Sequence, residues 1–140
     1  MNKVLFALLI TTFCQSVIGD IYVLANRNNP LSQVRLDDIR DFYLGRRLVI
    51  NDREYALVYD RGEESRIREK FFNRIAGMPI RQVDAYWARL VFSGRMLPLS
   101  KVESNKELLE RIGSQKNAIG YTDVKPQHPE IKVVLVISDE

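Results

Sequence analysis

The sequence holds one cysteine, one histidine and one tryptophan in 140 residues, and each scarcity removes a class of chemistry. Cys14 lies in the N-terminal leader, so the rest of the chain has no disulfide framework and must rely on core packing. His128, between Gln127 and Pro129, has no second histidine or cysteine with which to build a zinc site. The longest apolar stretch, Val4 to Phe13, is too short to cross a bilayer. Basic and acidic side chains number 21 and 18 and are interleaved. That balance argues against a nucleic-acid binder, which would carry a basic stripe with aromatic stacking positions. Asp60, Glu63 and Glu64 are close enough in sequence to cluster. No nucleophile with an adjacent base, metal-ligand spacing or cofactor loop accompanies them, so neither an enzyme nor a cofactor is expected. Repeats and low-complexity tracts are missing as well.

What is present begins with a leader. Lys3, the apolar stretch, polar Gln15-Ser16 and then Val17-Ile18-Gly19 read as a secretory signal peptide, with small residues where a signal peptidase looks. Phe13 is too bulky for the position before a lipidated cysteine. The expectation is cleavage after Gly19, leaving residues 20–140 as a single periplasmic domain without stable membrane insertion. Removing Lys3 with the leader lowers the net charge from +3 to about +2.

Ile21 to Ala25 is a nearly continuous apolar run and suits a strand buried on both faces. Leu36, Ile39, Phe42 and Tyr43 recur at helical spacing, with Asp37 and Asp38 in the first turn and Gly45 past the end. The Arg46-Arg47 pair beyond it reads as solvated. Leu48 to Ile50, a turn at Asn51-Asp52 and a strand over Tyr55 to Tyr59 follow. Pro79 suits a first helical residue, and Ile80, Val83, Trp87, Leu90 and Val91 mark the buried face of a helix ending near Ser93-Gly94, with Trp87 in the core. Ser104 and Glu107 match a capping box after a short strand at Lys101 to Glu103, and Gly113 is expected to close that helix. Ala118 to Tyr121 reads as a strand in which Gly120 permits close approach, and Ile131 to Ile137 as the last strand. Alternating strands and helices give an α/β domain with a mixed central sheet flanked by helices.

The segment around which these elements are organised runs from Tyr55 to Gly77: a strand, a polar turn, then Ile67, Phe71, Phe72 and Ile75 at helical spacing. Arg61, Ser65, Arg66 and Arg68 flank the first free N–H groups of that helix, where the macrodipole also favours negative charge. This is the chemistry of an oxyanion seat. The same residues also fit a helix capped by Ser65 or Glu63 with solvated arginines.

Several segments in order resemble the phosphate-binding proteins of bacterial ABC importers. Phe42-Tyr-Leu-Gly45-Arg is similar to their FLGK element, Tyr86-Trp87 with Phe92-Ser-Gly94 to their tryptophan helix and loop, and Ala118-Ile-Gly-Tyr121 to their AIGY strand. The resemblance implies a single lobe of the periplasmic binding protein type II-like fold. The family's anion motif, Arg-x-Asp-Gly-Ser-Gly-Thr, falls on Arg61 to Ile67. Arg61 matches the arginine that contacts the oxyanion, Glu63 replaces the acid that orients it, and Ser65 matches the serine. Glu64 and Arg66 stand at the two glycine positions and Ile67 at the threonine. The anion-binding set expected on this basis is Arg61, Glu63, Glu64, Ser65, Arg66 and Arg68, with phosphate or a similar small oxyanion as ligand and ABC-type import as the setting. The alternative keeps the fold as an envelope interaction or sensory module whose partner is a membrane transporter or sensor protein, a reading motivated by the lost glycines.

Overall fold

The computed structural model describes residues 19–139, so the signal peptide expected over residues 1–19 lies, but for Gly19, outside the described residues. The elements run β1 (Ile21–Asn26), α1 (Leu36–Tyr43), β2 (Val49–Asn51), β3 (Glu54–Tyr55), β4 (Leu57–Arg61), α2 (Arg66–Ala76), α3 (Ile80–Phe92), β5 (Ser100–Val102), α4 (Asn105–Ser114), β6 (Ala118–Thr122) and β7 (Ile131–Ile137). Five strands form one mixed sheet in the order β5-β4-β6-β1-β7, while β2 and β3 make a separate small hairpin. Strand β4 lies parallel to both β5 and β6, and β1 is antiparallel to β6 and β7. From β4 the chain crosses through α2 and α3 to β5, then returns through α4 to β6 on the other side of β4. The crossover direction therefore reverses at β5, and the connections leaving β4 and β5 run to opposite faces of the sheet, the arrangement in which open α/β sheets leave a crevice beyond their carboxyl ends.

Helices cover both faces. On one, Val23, Ala25, Val58, Ile119 and Tyr121 pack with residues of α1, α2 and α3. On the other, Leu24, Tyr59 and Ala118 pack with Leu108 and Ile112 of α4. The two sets alternate along each strand, as the two-residue period of a β-strand requires. This explains the uninterrupted apolar run of β1: it lies between two strands and under two helical layers. Tyr43, Phe71, Phe72 and Tyr121 form an aromatic centre in which Phe71 and Tyr121 stack with ring centroids 3.7 Å apart. Trp87 belongs to the core as expected, its Nε1–H donating to the Tyr43 carbonyl at 3.1 Å.

Several local expectations are corrected. The strand expected over Tyr55 to Tyr59 divides at Ala56, where the chain leaves the hairpin and β4 begins at Leu57. Pro79 is the residue that precedes α3, not its first turn. Ser104 Oγ accepts from the Glu107 N–H at 3.1 Å, but Glu107 reaches back to the Glu103 N–H rather than to that of Ser104. Gly113 does not close α4, which continues to Ser114; its bare Cα instead leaves room for the His128 ring, 3.2 Å from where a Cβ would stand. At Gly120 the expected close approach is to α4, because a Cβ there would sit 2.5 Å from Leu108 Cδ1.

Candidate functional site

Strand β4 ends in Asp60 and Arg61, and period-two alternation sends their side chains to opposite faces of the sheet. Asp60 is buried beneath α2. Its Oδ2 accepts from Arg68 Nε at 2.8 Å, and its Oδ1 accepts from the Tyr121 hydroxyl at 2.7 Å and the Arg61 N–H at 2.8 Å. Arg68 also pairs through Nη2 with Asp84 at 2.8 Å and lies over the Phe72 ring. Burial works to lower the Arg68 guanidinium, but Asp60 and Asp84 outweigh it and hold the group above its ordinary range. Burial, then the Asp60 charge, pushes the Tyr43 and Tyr121 hydroxyls well above the usual tyrosine value.

Arg61 turns toward α4 and is also buried. Its Nε and Nη2 donate to the Tyr121 carbonyl at 3.3 and 3.1 Å, and Nη2 also donates to Asn105 Oδ1, which accepts from Thr122 Oγ1 at 3.0 Å. Burial lowers this guanidinium from its ordinary value, against the opposing pull of Tyr121 and Asp123. Arg61 Nη1 makes no hydrogen bond among the described residues. The arginine thus ties the carboxyl end of β4 to that of β6 and to the first turn of α4.

The turn after β4 leads into α2 with Ser65 in extended conformation just before the first turn, its hydroxyl making no cap bond. The Ser65 N–H is spent on the Gly62 carbonyl at 3.1 Å, whereas those of Glu64 and Arg66 take no partner among the described residues. Arg61, Gly62, Glu64, Ser65, Val102 and Glu103 line a cavity of about 270 Å³ at the carboxyl ends of β4 and β5. The Glu103 carboxylate lies against Gly62 so closely that a Cβ at that position would collide with it.

The six residues expected from sequence therefore divide among three surfaces. Arg61, Glu64 and Ser65 meet at this cavity. Glu63 and Arg68 instead line a hollow of about 350 Å³ against α3, where Glu63 pairs with Lys101 at 3.5 Å. Arg66 faces a third concavity beside Glu69 and Lys70. Sequence reasoning did not single out Glu103, which lines the cavity, or Asn105 and Thr122, which join Arg61 in one hydrogen-bonded group; they come together only through the fold. Asn105 stands in the first turn of α4 and Thr122 at the carboxyl end of β6, and a parallel sheet gathers such positions at one edge. Among the described residues no group of three or more His, Cys, Asp or Glu is placed to hold a metal ion, and no helix is long and apolar enough to cross a membrane.

No protein-family model matches the sequence, and no curated protein matches it. Solved structures match the fold. A candidate phosphate ABC transporter substrate-binding protein with bound phosphate from Clostridium perfringens superimposes with a TM-score of 0.64 at 18% identity, covering 83% of this chain and 45% of the other. An ABC-type phosphate transport receptor from Vibrio cholerae gives 0.64, 18%, 83% and 46% in the same measures. A possible phosphate-binding protein from Planctomyces limnophilus DSM 3776 gives 0.54, 11%, 75% and 36%. The chain spans slightly under half the length of the first two. At these identities the likeness carries the fold: an α/β lobe of the kind found in phosphate-transport binding proteins, with a mixed sheet between helical layers.

Proposed function

We propose that this chain is a periplasmic solute-binding-like protein that takes phosphate or a similar small oxyanion weakly, as part of ABC-type phosphate import. The observation that carries the reading is the meeting of Arg61, Ser65 and Glu64, whose N–H takes no partner among the described residues, at one cavity beyond the carboxyl ends of β4 and β5. An oxyanion there would accept from Arg61 Nη1, the Ser65 hydroxyl and the start of α2, all donors suited to a small tetrahedral anion. The described neighbours that work with phosphate share this fold, which supports the ligand class. Secretion through the leader and a membrane transporter or sensor as partner belong to the same proposal. The role is binding, with no turnover.

Weakness follows from the charges. Exposed Glu64 and Glu103 place two carboxylates on the cavity wall, and most of the Arg61 donors are spent on Tyr121 and Asn105. Like charge beside a bound anion costs Coulomb energy that a single free guanidinium edge offsets only in part. Arg68, shielded by Asp60 and Asp84, contributes no direct bond.

Calorimetric titration with phosphate and with sulfate at low salt tests the proposal. Millimolar binding that disappears in Arg61→Met and weakens with added salt is the expected result. No heat and no thermal shift at millimolar anion would overturn it.

A further inference from the structure

The span Ala85 to Val102 contains no acidic residue and three cations, Arg89, Arg95 and Lys101. Among the described residues it also carries the two most exposed large apolar side chains, Phe92 at 92% and Leu97 at 85% of full exposure. Across from Leu97, the hairpin of β2 and β3 presents exposed Leu48 and Tyr55. Between them runs a groove of about 390 Å³, floored by Phe42, Leu57, Met96 and Leu99. Exposed apolar side chains facing one another across a groove differ from the scattered single ones of an ordinary surface.

The groove has charge of one sign. Arg47 and Arg95 line it, and no carboxylate does. Arg47 is fixed: it donates to the Val49 and Ile50 carbonyls at 3.0 Å each, pairs with Asp38 at 3.3 Å and lies over the Phe42 ring. Arg95 is exposed and makes no ion pair among the described residues. Met96 adds an unbranched, polarisable side chain that adapts to different occupants.

We infer that this groove docks a protein segment in which an apolar anchor is flanked by carboxylates. The anchor would seat among Leu48, Tyr55, Leu97 and Leu99, and a carboxylate would meet the free Arg95 guanidinium at the rim. A concave floor favours an inserted chain over a bilayer surface, which takes convex apolar tips. The groove lies at the amino ends of β4 and β5, near Ala56 to Val58 and Ser100, whereas the oxyanion cavity lies at their carboxyl ends. Partner docking and anion binding can therefore occur together, and this inference does not depend on the anion proposal.

The test is selection of displayed random dodecapeptides on the wild-type protein, with counter-selection on the double variant Tyr55→Ser, Leu97→Ser. Both replaced side chains are exposed, so the variant keeps the fold, as circular dichroism would verify. Enriched peptides should pair an apolar residue with Asp or Glu, bind the double variant about tenfold or more weakly, and lose affinity to Arg95→Glu and to added salt. Peptides without acidic residues, or peptides that bind both proteins equally, would overturn the inference. So would sedimentation of the wild type but not the double variant with phosphatidylglycerol vesicles, or a concentration-dependent dimer abolished by the same two substitutions, since those results assign the surface to a membrane or to a second copy.

Discussion

Asp60 and Arg61 are consecutive in β4, yet the first is held under α2 by Arg68 and the second reaches across to Asn105 at the start of α4. That one-residue alternation decides the site. Arg68 cannot join Arg61 on a ligand, because each guanidinium belongs to a different face of the sheet. What reads in one dimension as a cluster of arginines is in three dimensions a buried ion pair on one side and, on the other, an arginine bonded to Tyr121 and Asn105 that also lines a cavity.

Removing Asp60 should be among the most damaging single changes in the chain. Both partners of the Asp60–Arg68 pair are 3% exposed, and loss of the carboxylate leaves the Arg68 guanidinium with only half-exposed Asp84 while also orphaning the Tyr121 hydroxyl. Breaking one side of a buried pair costs about 3 to 5 kcal/mol, whereas replacing both sides by apolar groups often costs little. Urea denaturation should therefore rank Asp60→Leu as less stable than Asp60→Leu combined with Arg68→Met. The reverse order would mean that the pair does not carry its own desolvation.

Alkaline pH should destabilise the fold in a specific window. Tyr43 and Tyr121 have hydroxyl pKa values raised by burial and then by Asp60, so the folded chain keeps their protons after the unfolded chain has lost them. Their contribution is fully present below the unfolded tyrosine value, near pH 10, and declines as pH rises from there toward the raised folded value. The slope reaches at most about 1.4 kcal/mol per pH unit for each group. Thermal melts between pH 9 and 11 should fall more gently for Tyr121→Phe than for wild type. Absorbance near 295 nm should show some of the six tyrosines ionising only on unfolding.

Much of the architecture was legible because the periodicities are strong. The apolar run of β1, the stripes of α1 and α3 and the span of β7 each follow from one buried face or two. Glycine 120 was legible too, as a close approach, though sequence could not say that α4 makes it. Gly113 was misread as a terminator because a glycine near a helix end usually is one; here the neighbouring His128 ring explains the missing side chain. The site was less legible. Glu103 and Asn105 lie some forty positions from Arg61, and only the parallel pairing of β4 with β5 brings them to one edge.

The two glycines should accordingly respond in different ways to alanine. At Gly120 the new methyl would meet Leu108 and Ile112 at 2.5 and 2.9 Å inside the core, and overpacking of this kind costs about 1 to 3 kcal/mol. At Gly113 the obstacle is a loop histidine that can shift, and alanine gains up to about 1 kcal/mol of helix propensity. Gly120→Ala should lower the melting temperature by several degrees, while Gly113→Ala should match or exceed wild type.

The charges of the cavity give the last prediction. Arg66 stands at one of the family's glycine positions but faces a separate concavity, so Arg66→Gly would remove a cation without clearing the cavity beside Arg61. The carboxylates that line this cavity are those of Glu64 and Glu103. Two unit charges about 6 Å apart in water repel by about 0.7 kcal/mol, and a dianion doubles the figure. Glu64→Gln with Glu103→Gln should therefore tighten phosphate and sulfate binding by about tenfold or more at low ionic strength, with the gain shrinking toward 0.15 M salt as screening sets in. Neither substitution touches the core, since both side chains are exposed. If titration of the double variant shows no gain for either anion while its melting temperature is unchanged, the cavity beside Arg61 is not where an oxyanion binds.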